Sequence, residues 1–197
     1  MPEPQLETEA KFRFDDFAAL RDRLRAIGAA YVGRVVERNR FFDRPDESLR
    51  RAGYGLRVRS VTILDGPARP PTITFKGPLK PGPLKQRPEC ELEMADADRA
   101  AELLANLGFV ECFLFEKRRE SWRIGDCLVE LDELPRIGRF VEIEGPTVAN
   151  IAGLQSALGC GDLPIERASY LALLLAAGPI TGPVTFAVAA TAERQST

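Results

Sequence analysis

Acids and bases alternate through this chain at the two-residue period of a β-strand. Glu7, Glu9 and Lys11 stand two apart, as do Arg57 and Arg59, Thr74 and Lys76, and Arg87, Glu89 and Glu91. The pattern returns in Lys117 and Arg119, in Glu130 and Asp132, and in Glu142 and Glu144. On an extended strand each such set shares one face, because successive side chains point to opposite sides. Carboxylates gathered in this way offer the oxygen ligands that hard divalent cations take. Guanidinium and ammonium groups grip phosphate oxygens, arginine as a planar fork and lysine as a compact charge. The alternate positions are apolar or small: Ala10 and Phe12, Leu56 and Val58, Ile73 and Phe75, Val129 and Leu131, Val141 and Ile143.

An antiparallel sheet with one face in water shows a similar alternation on any single strand. Solvated faces usually mix in Thr, Ser and Gln, whereas these stripes are dominated by ionised groups. If the sheet closes, the charges meet inside, where each costs several kcal/mol unless it pairs or binds a ligand. A phosphate-rich ligand with divalent cations satisfies both signs at once.

The elements that must position these stripes follow from periodicity and punctuation. A strand over about 5–14 runs into Asp15, the predicted N-cap of a helix carrying Phe17, Leu20, Leu24 and Ile27 and stopped by Gly28. Strands are predicted near 33–43, 54–61 and 71–77, then 86–94 after a Pro/Gly-rich loop. A second helix starts near Asp96 and carries Ala100, Leu103, Leu104 and Leu107 before Gly108. Strands near 112–124, 127–133 and 139–145 and helices near 148–158 and 165–177 complete the pattern. Strand, helix and three strands thus occur twice, about 80 residues apart, with Gly28 answering Gly108 and Glu37-Arg38-Asn39-Arg40 resembling Glu116-Lys117-Arg118-Arg119, which suggests an internal duplication. Eight antiparallel strands can close into a barrel and remove their exposed edges.

Composition sets limits on function. The 197 residues are 45% hydrophobic and 28% charged, enough for one globular domain with a sizeable core. A formal charge of −2 supplies no global basic field for nucleic acid. No apolar run approaches the roughly 18 residues of a membrane span, and the N-terminus lacks a signal-like segment, so a cytoplasmic location without membrane association is expected. Cys90, Cys112, Cys127 and Cys160 include no C-x-x-C pair, so reduced, mostly buried thiols are expected rather than a zinc site or disulfide framework. Histidine is absent. Any catalysis must therefore rest on carboxylates, lysine, arginine and bound metal.

In order along the chain, Glu7-x-Glu9-x-Lys11, Leu56-Arg57-Val58-Arg59, Phe75-Lys76-Gly77-Pro78, Arg87-x-Glu89-x-Glu91, Lys117-x-Arg119, Leu131-Asp132 and Gly138 to Glu144 resemble the CYTH superfamily, also called the triphosphate tunnel metalloenzymes. With Ser169-Tyr170 the resemblance spans about residues 5–177, and it is closest to the class IV adenylate cyclase branch, whose relatives include thiamine and inorganic triphosphatases. It implies an α+β fold: an eight-stranded antiparallel tunnel with helices packed outside, over a CYTH domain of residues 1–177 followed by a C-terminal tail of 178–197. It implies Mg²⁺ or Mn²⁺ held by Glu7, Glu9, Glu142 and Glu144, with Asp132 helping directly or through water. The phosphate-binding set it implies is Lys11, Arg57, Arg59, Lys76, Arg87, Lys117 and Arg119, with Lys11, Lys76 and Asp132 catalytic and Glu89 and Glu91 supporting. The expected activity is metal-dependent hydrolysis of an inorganic, nucleoside or thiamine triphosphate. The alternatives are cyclisation of ATP to cyclic AMP and pyrophosphate, or a non-catalytic polyphosphate-binding module. Relatives of this kind are often homodimers. Where relatives often carry Asp and Tyr, this chain has Asn39 and Phe41.

Overall fold

A computed structural model describes residues 5–187. Its strands are β1 (Gln5–Arg13), β2 (Ala30–Asp43), β3 (Gly55–Asp65), β4 (Thr72–Lys76), β5 (Lys85–Glu93), β6 (Val110–Ile124), β7 (Cys127–Leu134) and β8 (Gly138–Glu144). They close into one antiparallel barrel in the order β1-β5-β4-β3-β2-β6-β7-β8. Exchanging β1–β4 with β5–β8 maps this circular order onto itself, so the duplication read from the sequence is present in the topology. The residue match proposed for it is one position out. Glu37 pairs in register with Lys117, whereas Glu116 faces outward near Arg38. A slip of one residue reverses the face of a strand residue, so the motif resemblance was between opposite faces.

The helices are α1 (Phe17–Ala26), the short α2 (Ser48–Arg51), α3 (Ala97–Asn106), α4 (Val148–Ala157) and α5 (Tyr170–Ala176). The N-cap of α1 is Asp16 rather than the expected Asp15. Only Asp16 stands where its carboxylate can accept from the N–H of Ala19, at 3.0 Å, while Asp15 contributes its carbonyl to Arg139. Phe17, Leu20 and Leu24 bury one face of α1 against Ala10, Phe12, Val129, Leu131, Val141 and Ile143, the outward faces of β1, β7 and β8, and Ile151 and Leu158 join the same core. On the opposite wall α3 covers Phe42, Leu56 and Val58. It does so through Ala101 and Leu104; the expected Leu103 and Leu107 are instead 60% exposed each. Over most of β1, β3, β4, β7 and β8 the apolar alternation therefore turns away from the barrel axis and the ionised alternation toward it, whereas β2 and β6 carry Arg38, Arg40 and Glu116 outside and Phe41 and Phe115 inside.

The last helix is shorter than expected. Residues 165–169 are irregular and lie beside β1, with the Glu166 N–H donating to the Lys11 carbonyl at 2.6 Å, and Ser169 caps α5 by accepting from Ala172 at 3.1 Å. Nor does α5 lie on the outer wall. Tyr170 and Leu174 pack with Phe115, Leu134 and Phe140 at one end of the lumen. The segment after α5 returns to the barrel, where Val184 exchanges backbone hydrogen bonds with Leu114 and Glu116, at 2.9 Å each. The described part of the tail of 178–197 thus packs on its own barrel, and the rest lies outside the described residues. Among the four free cysteines only Cys127 and Cys160 are buried, fewer than expected; Cys90 on β5 and Cys112 on β6 are exposed. No helix among the described residues is long and apolar enough to cross a membrane.

Candidate active site

The inward stripes enclose a cavity of about 790 Å³. Its wall carries Lys11, Arg57, Arg59, Lys76, Lys85, Arg87, Lys117 and Arg119, joined by Arg50 from α2 and Arg167 from the segment before α5. Against these stand Glu7, Glu9, Glu89, Glu91, Glu130, Glu142 and Glu144. The lumen is therefore net basic inside a chain that is net acidic overall, and its field favours an anion.

The cations differ in how firmly the protein's own acids hold them. Lys76 bridges Glu7 at 2.7 Å and Glu89 at 2.6 Å, and Lys85 sits on Glu9 at 2.5 Å. Arg119 binds Asp132 at 2.6 Å and Glu142 at 2.5 Å, and it also pairs with Glu130. Lys117 divides itself between Asp132 at 3.1 Å and Glu37 at 3.3 Å. Arg57 and Arg59 are held more loosely: Arg57 is 3.7 Å from Glu91, and Arg59 is 3.3 Å from Glu37 and 3.5 Å from Glu91. Arg87 donates to the backbone carbonyl of Gly77, at 2.8 Å, rather than to a carboxylate. Lys11 is wholly buried; its ammonium donates to the Ala168 carbonyl and lies 4.2 Å from the centroid of the Tyr170 ring.

Electrostatics follow from this packing. Burial lowers the pKa of Lys11 against the pull of Glu142. Burial also pushes Glu142 and Glu37 upward, but cations overcome it, Arg119 first for Glu142 and Arg59 first for Glu37, and both carboxyls end well below the usual range. Glu130 goes the other way. Burial, with Asp132 and Glu142 adding their charge, pushes it from 4.5 up to about 7 despite Arg119. Burial and then the charges of Glu7, Glu9 and Glu89 raise Glu144, which is aligned across the sheet with Glu9.

The opposed shifts give a stability prediction. A carboxyl whose folded pKa is raised binds its proton more tightly when folded, so its contribution is full below the unfolded value and is lost as pH rises through the folded one. Glu130 should therefore make the wild type progressively less stable between pH 4.5 and about 7. Glu142 and Glu37, with depressed values, act only at lower pH, where protonating them removes stability. Urea unfolding across this range is expected to show Glu130→Gln with a flatter profile and a stability advantage over wild type that grows toward pH 7. An advantage independent of pH would refute the assignment.

Every residue expected at the site from sequence lines this cavity except Asp132. Asp132 is wholly buried behind the wall, and its two oxygens receive Lys117, Arg119 and the Tyr170 hydroxyl, the last at 2.9 Å. Among the described residues, no three acids come together as a ready-made metal cage. Sequence reading gave no role to Glu37, Lys85 or Glu130, all of them buried and paired inside the barrel. Lys85 was legible, standing two before Arg87 on the same stripe, and Glu130 stands two before Asp132. Glu37 is a single acid among Arg38, Asn39 and Arg40, and only strand pairing reveals its face. Arg38 and Arg40, whose facing the sequence leaves unresolved, are outside, where Arg40 meets Asp98 and Glu111 at 2.8 Å each.

A closed antiparallel barrel with an ionised lumen and apolar outer faces covered by helices defines a tunnel-type α+β protein. Residues 5–157 match the CYTH domain, and the chain belongs to that family. It is similar to adenylate cyclase CyaB of Aeromonas hydrophila, with 28% identity over 86% of this chain and 88% of that protein. Among solved structures, the PH1819 protein of Pyrococcus horikoshii OT3 superposes with a TM-score of 0.73 at 27% identity, over 86% of this chain and 98% of that one. HpAC1 of Hippeastrum, described as a putative adenylyl cyclase that reveals a dominant triphosphatase activity, shares the fold with a TM-score of 0.64 at 22% identity, over 89% of this chain and 98% of that one.

Proposed function

We propose that this protein is a divalent-metal-dependent enzyme that binds a triphosphate in the barrel lumen and releases phosphate by hydrolysis. The observation that carries the reading is a net-basic cavity in which Arg57, Arg59 and Arg87 are only loosely engaged by protein acids. Loosely held guanidiniums exchange weak partners for phosphoryl oxygens at small cost, and charge-assisted hydrogen bonds to those oxygens are strong.

The donor set suits Mg²⁺ or Mn²⁺. It is all oxygen, and Glu144 is raised by burial and then by its acidic neighbours, a repulsion that a divalent cation relieves. Glu7, Glu9 and Glu144 would hold the ion, with Glu142 beyond Arg119. A bound ion supplies charge neutralisation on the phosphate oxygens. Arg57, Arg59, Arg87 and Lys117 orient the chain of phosphates. Lys11 and Lys76 act on the leaving group, and the lowered pKa of Lys11 suits an ammonium that passes a proton to a departing oxygen. Asp132 serves as a positioning residue, fixing Lys117, Arg119 and Tyr170 from behind, which favours the indirect form of its expected role.

Cyclisation of ATP is the second reading. It draws support from the 28% identical relative, an adenylate cyclase. Incubating the purified protein with tripolyphosphate, ATP and thiamine triphosphate under each metal, and separating orthophosphate, pyrophosphate and cyclic AMP, decides between attack by water and attack by the ribose hydroxyl. Tight binding of tripolyphosphate with no product under either metal would favour a binding module. Glu7→Gln and Glu144→Gln are each expected to raise the Mg²⁺ concentration needed for half-maximal turnover; an unchanged metal titration would remove these residues from the metal set.

A further inference from the structure

Polar atoms buried in a protein are nearly always hydrogen-bonded, and a cluster that is not calls for a reason. Asn39 is 1% exposed, and neither its side-chain oxygen nor its nitrogen has a partner. The Nε atoms of Arg57 and Arg59 are also buried and unpartnered. These atoms belong together: Asn39 is aligned with Arg59 across β2 and β3, and it shares the inward face of β2 with Glu37 and with Phe41, which lines the cavity. On its other side Asn39 is aligned with Phe115, whose ring stacks on Phe41 at 5.6 Å and offers no hydrogen bond.

The residue type matters as much as the vacancy in bonding. A carboxylate at this position, which relatives often carry, would stand beside Arg59 and close a further ion pair with it. An amide leaves that charge available while offering a donor and an acceptor of its own. An apolar side chain would leave the arginines equally charged but remove those hydrogen bonds.

We propose that Asn39 is a specificity-determining residue of the triphosphate site: its neutral amide keeps the Arg57–Arg59 pair free for phosphoryl oxygens and completes its own hydrogen bonds when they bind. This rests on the functional reading given above. The three unpartnered groups form one subsite for a polyanion, at the expense of stability in the protein alone. Binding and stability should then move in opposite directions on substitution, which a purely structural asparagine would not produce.

The test titrates tripolyphosphate in EDTA, so that binding is read calorimetrically without turnover, into the wild type, Asn39→Asp and Asn39→Leu, with thermal unfolding of each. Both variants are expected to bind at least about tenfold more weakly, the change that one hydrogen bond to a charged group supports. Both should melt above the wild type, Asn39→Asp because it pairs with Arg59 and Asn39→Leu because it removes unsatisfied buried atoms. Wild-type affinity in either variant, or weaker binding accompanied by a lower melting temperature in both, overturns the proposal. Should either variant fail to fold, Asn39→Ser replaces it and must bind more weakly than wild type for the proposal to stand. If the wild type itself binds no tripolyphosphate, the functional reading fails, a result distinct from unchanged affinity in the variants.

Discussion

Arg119→Met is expected to cost on the order of 3–5 kcal/mol of folding stability, the range for removing one partner of a buried ion pair. Arg119 is 9% exposed and engages Asp132, Glu142 and Glu130 directly, with Glu37 at 3.9 Å. Its removal leaves four acids from three strands facing one another in a desolvated space, with Lys117 divided between Asp132 and Glu37 and Arg59 reaching Glu37 alone of the four. Methionine fills much of the volume, so the loss reports charge rather than a cavity. Because ionised acids then repel, the deficit should shrink as pH falls and they take up protons. Guanidinium unfolding at neutral and acidic pH measures both quantities; a loss below about 1 kcal/mol, the range of an exposed pair, would mean that the network is solvated rather than buried.

Arg57→Ala combined with Arg59→Ala should produce the largest catalytic defect. Two hydrogen bonds to charged groups, at about 1.5–3 kcal/mol each, correspond to roughly a hundredfold to ten-thousandfold loss in kcat/KM for tripolyphosphate. The fold should tolerate this change better than the loss of Arg119, because Glu91 is already partly exposed and Glu37 keeps Lys117 at 3.3 Å. The pairing of a small melting shift with a large kinetic loss is the signature of cations held for a ligand. A double variant within threefold of wild-type kcat/KM would exclude the arginine pair from the phosphate site. Glu89 and Glu91 are expected to show the reverse balance, since Glu89 anchors Lys76 at 2.6 Å and Glu91 accepts from Thr74 at 2.6 Å.

The position of α5 bears on all of these outcomes. Tyr170 reaches Asp132 from the end of the barrel, and Lys11 is fixed by the carbonyl of Ala168 immediately before the helix. Substitutions in α5 therefore act on the site through the two strands it ties together.

Sequence alone determined which residues share a strand face, because that depends only on the two-residue period of extended backbone. From it came the charged stripes of β1, β3, β5, β6 and β8, the apolar stripes behind them, and the expectation that the sheet closes. The glycine stops at Gly28 and Gly108, both left-handed with φ of +78° and +84°, were equally local. Tertiary structure decided everything that depends on which strands are neighbours. It set Asp132 behind the wall rather than in it, brought Glu37 and Lys85 into the lumen's ion pairs, turned Arg38 and Arg40 outward, and left Asn39 without a partner beside Arg59. Periodicity names a face, but the energy of an ion in that face depends on the distance to charges more than a hundred residues away in sequence, and barrel closure alone fixes those distances.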